Sequence, residues 1–509
     1  MKKRIATSIV AIFIVAVLVL CFVGCATNSS QEGASGLSAY EIAKKNGFSG
    51  TEQEWLASLS ASKSAYDLAV EQGFVGTLDE WLASLQGANG RDGQDADITI
   101  EDVYQAAVEA GYEGTFLEFV KEYLDDTTLT AVSTEVIANQ AVLSVVSVYA
   151  NFTKTYSYTS VWPYFGQSGS GTTTQGYASA GSGVFYYIDS EKGDAYIITN
   201  YHVVYDADSD TANHISDDVF VLLYGNNYLS LDSNNHVSST YAIPATYIGG
   251  SMTYDIAVLK VTGSERLKAA NGSTATAVEI GNSNYVTVGS KALAVGNPEG
   301  LGISVTEGII SVDSESISLT AADSRSTISV RVMRVDTAIN SGNSGGGLFD
   351  ASGKLIGIVN AKASSSDIDN IAYAIPSNVA KYVADGIIER YESTGSVQPV
   401  QKCMLGVTVS AADSHAIYDE ETSRTHIKED VTVISITSGG LADGKLQAGD
   451  ILKTIEVRGT TLEIDRTYVL VDAMLLSRVG DEVKLAFTRD GVDMEVTFTI
   501  TAGSVTIIS

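Results

Sequence analysis

Cysteine is nearly missing from this chain, with three in 509 residues. Cys21 and Cys25 lie in an apolar leader, which leaves Cys403 alone in the body of the chain. No framework of structural disulfides can be built from that. Positive charge is scarce as well: 31 Lys and Arg face 61 Asp and Glu, for a formal net charge of -30. Nothing in the sequence could neutralise a row of phosphates, which excludes a nucleic-acid partner. The acidic excess keeps a surface-tethered protein soluble and says nothing of substrate. Metal-ligand spacings are lacking too. Asp92, Asp95 and Asp97 lie in a glycine-rich stretch, but no closing glutamate completes a calcium loop. No metal or cofactor is expected. The length allows about three domains with ample cores.

The amino terminus reads as a targeting segment over residues 1–25. Met1-Lys2-Lys3-Arg4 is a positive start, residues 5–23 are almost all apolar, and Gly24-Cys25 closes the run before a polar Ser/Gly-rich linker at 26–37. Phe22-Val23-Gly24-Cys25 resembles a bacterial lipobox, with Phe22 where leucine is usual and Cys25 as the lipidated residue. An uncleaved transmembrane anchor is the other reading, since the apolar run is about long enough to span a bilayer. Either reading places the rest of the chain outside the cytoplasmic membrane and tethers it there.

Residues 38–126 carry an internal repeat. Ser38-Ala39-Tyr40-Glu41 with Trp55-Leu56-Ala57 recurs as Ser64-Ala65-Tyr66-Asp67 with Trp81-Leu82-Ala83, and more loosely as Val103-Tyr104-Gln105 with Glu118-Phe119-Val120. In each copy a glycine (Gly47, Gly73, Gly111) stops one helix and a Thr-x-x-Glu box at Thr51, Thr77 or Thr115 starts the next. Three helical hairpins are predicted, either as a spacer or as a binding module for cell wall or a partner. The glycine-rich insert at 86–97 is too short for a collagen triple helix and reads as a flexible linker.

Three further strings carry chemistry: Thr199-Asn200-Tyr201-His202-Val203-Val204, Asp255-Ile256-Ala257-Val258-Leu259-Lys260 and Gly342-Asn343-Ser344-Gly345-Gly346-Gly347. They present His, Asp and Ser in the chain order of chymotrypsin-type serine proteases. A serine hydroxyl is a poor nucleophile at neutral pH, so it needs an imidazole to take its proton and a carboxylate to hold that imidazole in the right tautomer. His202 is the candidate base, Asp255 its orienter and Ser344 the nucleophile. Glycines around Ser344 free the backbone, so that the Gly342 and Ser344 N–H groups could receive a tetrahedral oxyanion. Residues 195–199 and 256–261 are apolar, β-branched runs of strand length that would bring His202 and Asp255 to strand ends. Each string alone is weak; the ordered triple is specific.

Residues 135–392 resemble the trypsin-like protease domain of the HtrA (DegP/DegS) family. The matching strings are the three above with Gly181-Ser182-Gly183-Val184, Gly296-Asn297-Pro298, Val305-Thr306-Glu307-Gly308, Asp336-Thr337-Ala338-Ile339-Asn340 and Ala374-Ile375-Pro376-Ser377. The resemblance implies a double β-barrel serine endopeptidase that degrades unfolded or misfolded proteins, and a homotrimer held by aromatic residues. It also implies a loop that switches the oxyanion hole. Ala338, six residues before Ser344, stands where trypsin-like enzymes carry a specificity aspartate. With Ile339 it predicts a primary pocket for small or medium apolar side chains. Asn343 cannot form the salt bridge by which digestive zymogens are activated. Asn151 to Gly166, rich in Tyr, Trp and Phe, is predicted as a polar loop whose aromatics meet either a neighbouring subunit or one another.

After a polar link at 393–401, residues 402–501 resemble an α+β PDZ domain, with Met404-Leu405-Gly406-Val407 as the carboxylate loop and edge strand for apolar C-terminal peptides. Ser438-Gly439-Gly440 departs from the usual Ser-Pro-Ala, and residues 410–430 read as an insertion. The whole is expected to be a multidomain protein of helical repeats, protease and PDZ domain. A peptide-binding chaperone or surface scaffold without turnover is the alternative.

Overall fold

The computed structural model describes residues 134–161, 168–360, 371–420 and 424–508, together with Lys44. The chain divides into two compact units, Met1–Ala131 and Val132–Ser509, and the elements named below belong to the second. The leader with Cys25, the helical repeats, the glycine-rich insert and residues 162–166 lie outside the described residues.

Helix α1 (Thr134–Ala141) leads into strands β1 (Val145–Val161), β2 (Ser168–Asp189), β3 (Asp194–Thr199) and β4 (Asp218–Leu223). Helix α2 (Tyr201–Val204) is a single turn after β3. The short β5 (Ser230–Leu231) and β6 (Val237–Ser238) pair with each other; β7 (Ile243–Ser251) and β8 (Ile256–Val261) follow. The order β7-β4-β1-β2-β3-β8, with β8 pairing back on β7, closes a first barrel. Along β1, Val146, Val148, Ala150 and Phe152 alternate into its core, as the period of two in a strand dictates. Each of the larger side chains contributes about 1.5–3 kcal/mol by leaving water.

Strand β1 runs ten residues further than a polar loop from Asn151 would allow. It pairs with β2 through Lys154↔Gln175 and Tyr158↔Gly171, so the expected loop is an antiparallel ribbon. Tyr156 and Tyr158 lie exposed on it. Thr and Tyr favour the extended backbone, and pairing satisfies the ribbon's N–H and C=O groups while Thr155 to Tyr158 stay exposed.

A second closed barrel is built from β9 (Lys291–Gly296), β10 (Ser304–Thr320), β11 (Thr327–Val335), β12 (Gly347–Phe349), β13 (Leu355–Asn360) and β14 (Ala372–Pro376), around Ile310, Met333, Val335, Leu348, Ile356 and Val359. Helix α3 (Ser377–Thr394) packs on β7, β8 and β13 and so covers both barrels. It stops at Gly395, whose left-handed backbone (φ 69°) lets its N–H reach Tyr391 O at 2.7 Å.

The segment expected as a polar link is a strand, β15 (Gln398–Cys403), added parallel to β7 through Gln398↔Gly249 and Pro399↔Gly250. Beyond it, β16 (Val407–Asp419), β17 (Arg424–Ile436), β18 (Ile451–Val457), β20 (Glu482–Arg489) and β21 (Val492–Thr499) form a sheet in that order, with β19 (Thr460–Glu463) on β18 and helix α4 (Thr467–Leu476) against it. Its core holds Leu405, Val431, Leu452, Ile455, Leu485, Phe487 and Phe498. Residues 410–430, read as an insertion, are the outer parts of β16 and β17 and extend them as a ribbon through His415↔Lys428 and Tyr418↔Thr425. The last strand, β22 (Val505–Ile508), returns to pair with β15. Among the described residues no helix is long and apolar enough to cross a membrane.

Candidate active site

β3 is buried along five of its six residues and delivers Asn200 and then α2, which carries His202. Asp255 stands in the turn before β8, in a left-handed backbone conformation (φ 50°) that aspartate tolerates better than most residues. Its carboxylate turns back to α2. His202 Nδ1 lies 2.7 Å from Asp255 Oδ2, and the His202 backbone N–H donates to Oδ1 at 3.0 Å. Both side chains are more than nine-tenths buried. With Nδ1–H given to the carboxylate, the neutral imidazole keeps its lone pair on Nε2.

Two asparagines that the sequence reading did not single out complete this corner. Asn360, the wholly buried last residue of β13, donates Nδ2 to Asp255 Oδ2 at 3.0 Å. Asn200 Nδ2 donates to the Asp255 carbonyl at 2.8 Å. A polar residue closing an otherwise apolar strand such as Leu355–Asn360 was the available signal. Burial pushes the neighbouring Tyr201 hydroxyl up to about 12, so it stays a neutral phenol beside the pair.

Ser344 lies in the loop before β12, brought to the same place by the two barrels together. Gly345 N–H donates to Val359 O at 2.9 Å, one residue before Asn360. Gly345 (φ 86°) has no room for a side chain: a Cβ there would strike Ser182 O and Thr199 Oγ1, and would lie 3.1 Å from the Asn200 nitrogen. The close approach that places Ser344 beside the His202 strand thus demands glycine. Among the described residues no hydrogen bond joins the Ser344 hydroxyl to His202; such bonds are often long before substrate arrives.

Every carbonyl from 341 to 344 is held. Ser341 O accepts from Glu299 N–H at 2.7 Å, Gly342 O from the Ser182 hydroxyl at 2.7 Å, Asn343 O from Gly346 N–H at 2.9 Å and Ser344 O from Ser182 N–H at 2.8 Å. In a trans peptide the N–H points opposite to the C=O. Fixing the Ser341 and Asn343 carbonyls therefore directs the Gly342 and Ser344 N–H groups the other way, and among the described residues neither has a protein acceptor. Gly342 itself has φ 93°, and a Cβ on it would meet Asn297 O and Glu299 N.

Ala338 is exposed on the segment between β11 and this loop, its carbonyl accepting from Thr306 Oγ1 at 3.0 Å, while Ile339 packs partly into the second barrel's core. Met404 to Val407 lie far along the chain, in the third sheet. Met404 is half exposed, Leu405 is buried in that sheet's core, Gly406 has φ 80°, and Val407 opens β16, which stands at the sheet's edge. No group of three or more His, Cys, Asp or Glu among the described residues is placed to hold a metal ion.

Residues 181–358 match the family described as trypsin-like peptidase domain. The Serine protease Do-like HtrA of Lactococcus lactis subsp. lactis (strain IL1403) is 30% identical over 367 residues, which span 69% of this chain and 78% of that protein. Its counterpart in L. lactis subsp. cremoris (strain MG1363) is 31% identical over 363 residues, 68% of this chain and 77% of that one. The Serine protease Do-like HtrA of Bacillus subtilis (strain 168) is 30% identical over 342 residues, 65% of each. The chain belongs to the HtrA, or Do-like, family of serine proteases, and is a serine endopeptidase of the S1 type.

Proposed function

We propose that His202, Asp255 and Ser344 are the catalytic triad, with the Gly342 and Ser344 N–H groups as the oxyanion hole. The observation that carries this is the Asp255 carboxylate, which takes both the ring Nδ1 and the backbone N–H of His202 and so leaves Nε2 as the base. Ser344 Oγ attacks the scissile carbonyl as His202 Nε2 takes its proton. The imidazolium then protonates the leaving amine, and water repeats the sequence on the acyl-enzyme. Negative charge on the former carbonyl oxygen is met by two N–H groups already directed by their neighbours' hydrogen bonds, so little reorganisation is needed in the transition state. The chemistry calls for no cofactor.

The finer organisation follows the same reading. Residues 135–392 act as the protease and 402–501 as a PDZ domain, whose edge strand β16, entered through Met404-Leu405-Gly406-Val407, takes apolar C-terminal peptides by strand addition. Ala338 and Ile339 shape a primary pocket for small or medium apolar residues. Substrates are unfolded or misfolded proteins, the assembly is a homotrimer, and the chain is tethered outside the cytoplasm at Cys25 or through the apolar leader, with residues 38–126 as a spacer or a binding module. Mass spectrometry of casein products tests the core of this: cleavage after small or medium apolar residues by the wild type and none by Ser344→Ala is expected, whereas cleavage after Lys or Arg would refute the pocket. Fatty-acid labelling that is lost in Cys25→Ala distinguishes the lipid anchor from a transmembrane one.

A further inference from the structure

Ser182, in β2 of the first barrel, touches the nucleophile loop of the second barrel on both sides of Ser344. Its hydroxyl donates to Gly342 O at 2.7 Å and accepts from Asn297 N–H at 2.8 Å, and its own N–H donates to Ser344 O at 2.8 Å. Its carbonyl accepts from Thr199 Oγ1 at 2.6 Å, next to the α2 turn that carries His202. The residue is wholly buried, and so are Asn297 and Thr199. Of the four carbonyls from 341 to 344, two are held by this one residue, and its hydroxyl is the only side chain among the four donors.

We infer that Ser182 is a positioning residue for catalysis: its hydroxyl, oriented by the Asn297 N–H, locks the Gly342–Asn343 peptide so that the Gly342 and Ser344 N–H groups converge on the oxyanion. This rests on the triad reading above. A hydroxyl has one proton to give, and the Asn297 N–H occupies a lone pair, so the proton is committed to Gly342 O. A rotation of the Gly342–Asn343 peptide would strand a buried hydroxyl and a buried carbonyl together. The other end of that peptide is held by the Asn343 N–H, which donates to Asn340 O at 3.1 Å, and Gly342, with φ 93° and no side chain, would turn more freely without the Ser182 bond. Crowding leaves no slack around the hydroxyl: a Cβ on Gly296 would sit 3.1 Å from Ser182 Oγ and 2.8 Å from Asn343 Oδ1. The same residue therefore ties the loop that presents the oxyanion donors to the strand that leads to the base, across the junction of the two barrels.

The test uses the full chain, a fluorogenic peptide taken from its own casein cleavage sites, and a peptidyl boronic acid of the same sequence, which forms a tetrahedral adduct on Ser344. Ser182→Ala removes the hydroxyl and keeps the Cβ; Ser182→Cys keeps nearly the volume and donates poorly. Both variants should fold but melt below the wild type, because the Gly342 carbonyl and the Asn297 N–H lose their partner, hold KM within about twofold, lose about 10- to 100-fold in kcat, and lose boronate affinity by the same factor. Wild-type kcat and boronate affinity in a folded Ser182→Ala would overturn the role. So would a lower kcat with unchanged boronate affinity, or failure of both variants to fold, since each marks Ser182 as structural only. A wild type that does not cleave, or a Ser344→Ala that does, would instead overturn the triad reading itself.

Discussion

Asn360 and His202 share one oxygen of Asp255: Asn360 Nδ2 donates to Oδ2 at 3.0 Å and His202 Nδ1 lies 2.7 Å from the same atom. The carboxylate is therefore held from the second barrel while it holds the imidazole of the first. Asn360→Ala should lower kcat about 10- to 100-fold, the value of a hydrogen bond to a charged group, with KM little changed. Asp255→Asn should cost more, about 10⁴-fold, because it reverses the tautomer of His202. Single-turnover kinetics on the two purified variants checks the order; equal losses would show that Asn360 does more than orient the carboxylate.

The primary pocket proposed at Ala338 and Ile339 offers a gain-of-function test. Ala338→Asp would place a carboxylate where trypsin-like enzymes keep one, and Ala338 is exposed, so the charge can be accommodated. Product mapping should then show new cleavage after Lys and Arg. An unchanged cleavage pattern would move the pocket away from Ala338.

In the third sheet, Arg489 grips Asp450 with two 2.7 Å bonds, Nε to Oδ1 and Nη2 to Oδ2, while Gln447 N–H adds a third at 2.8 Å. Burial pushes the Asp450 carboxyl up, but the Arg489 fork and the Gln447 N–H outweigh it and hold the group below its usual range. A depressed carboxyl stabilises the fold above its ordinary value, about 3.9, and that stability is lost as pH falls through the lower folded value. Asp450→Asn should destabilise the fold near neutral pH by about 1–3 kcal/mol and flatten this acid limb. Thermal melts across acid pH decide it; a wild-type limb retained in the variant would contradict it.

Asp472 behaves in the opposite sense. It is buried on α4, with Arg331 Nη1 at 3.2 Å and the Arg331 guanidinium 3.8 Å from the Tyr468 ring. Burial pushes its carboxyl up; Arg331 and Lys402 oppose this only in part. A raised carboxyl contributes stability that is full below the ordinary value and lost as pH rises through the folded one. The melting midpoint of Asp472→Asn, relative to wild type, should therefore climb as pH rises above the ordinary carboxyl value, about 3.9. A constant difference would contradict the shift.

How far the sequence could be read depended on whether a residue's type or its partner carried the information. The proposed triad of His202, Asp255 and Ser344 could be picked out because the chemistry needs those side chains in glycine-rich or apolar frames, and the runs at 195–199 and 256–261 are strands as their β-branched composition required. Ser182 and Asn360 were not, because each is one polar residue in a strand and only the other barrel gives it a bond. The strand β15 escaped for a similar reason: Gln398 and Pro399 look like a link, and their place is set by Gly249 and Gly250, distant in sequence. The ribbon beyond Asn151 was read as a loop because Thr155 to Tyr158 keep their side chains exposed, while its strand character lies in backbone pairing.

The central claim is that Ser344 is the nucleophile activated by His202. A fluorophosphonate probe, followed by peptide mapping of the labelled site, tests it most directly. A single adduct on Ser344 is expected in the wild type, and none in Ser344→Ala. Labelling that persists in folded Ser344→Ala, or a folded, casein-cleaving wild type that takes no label at Ser344, would contradict it.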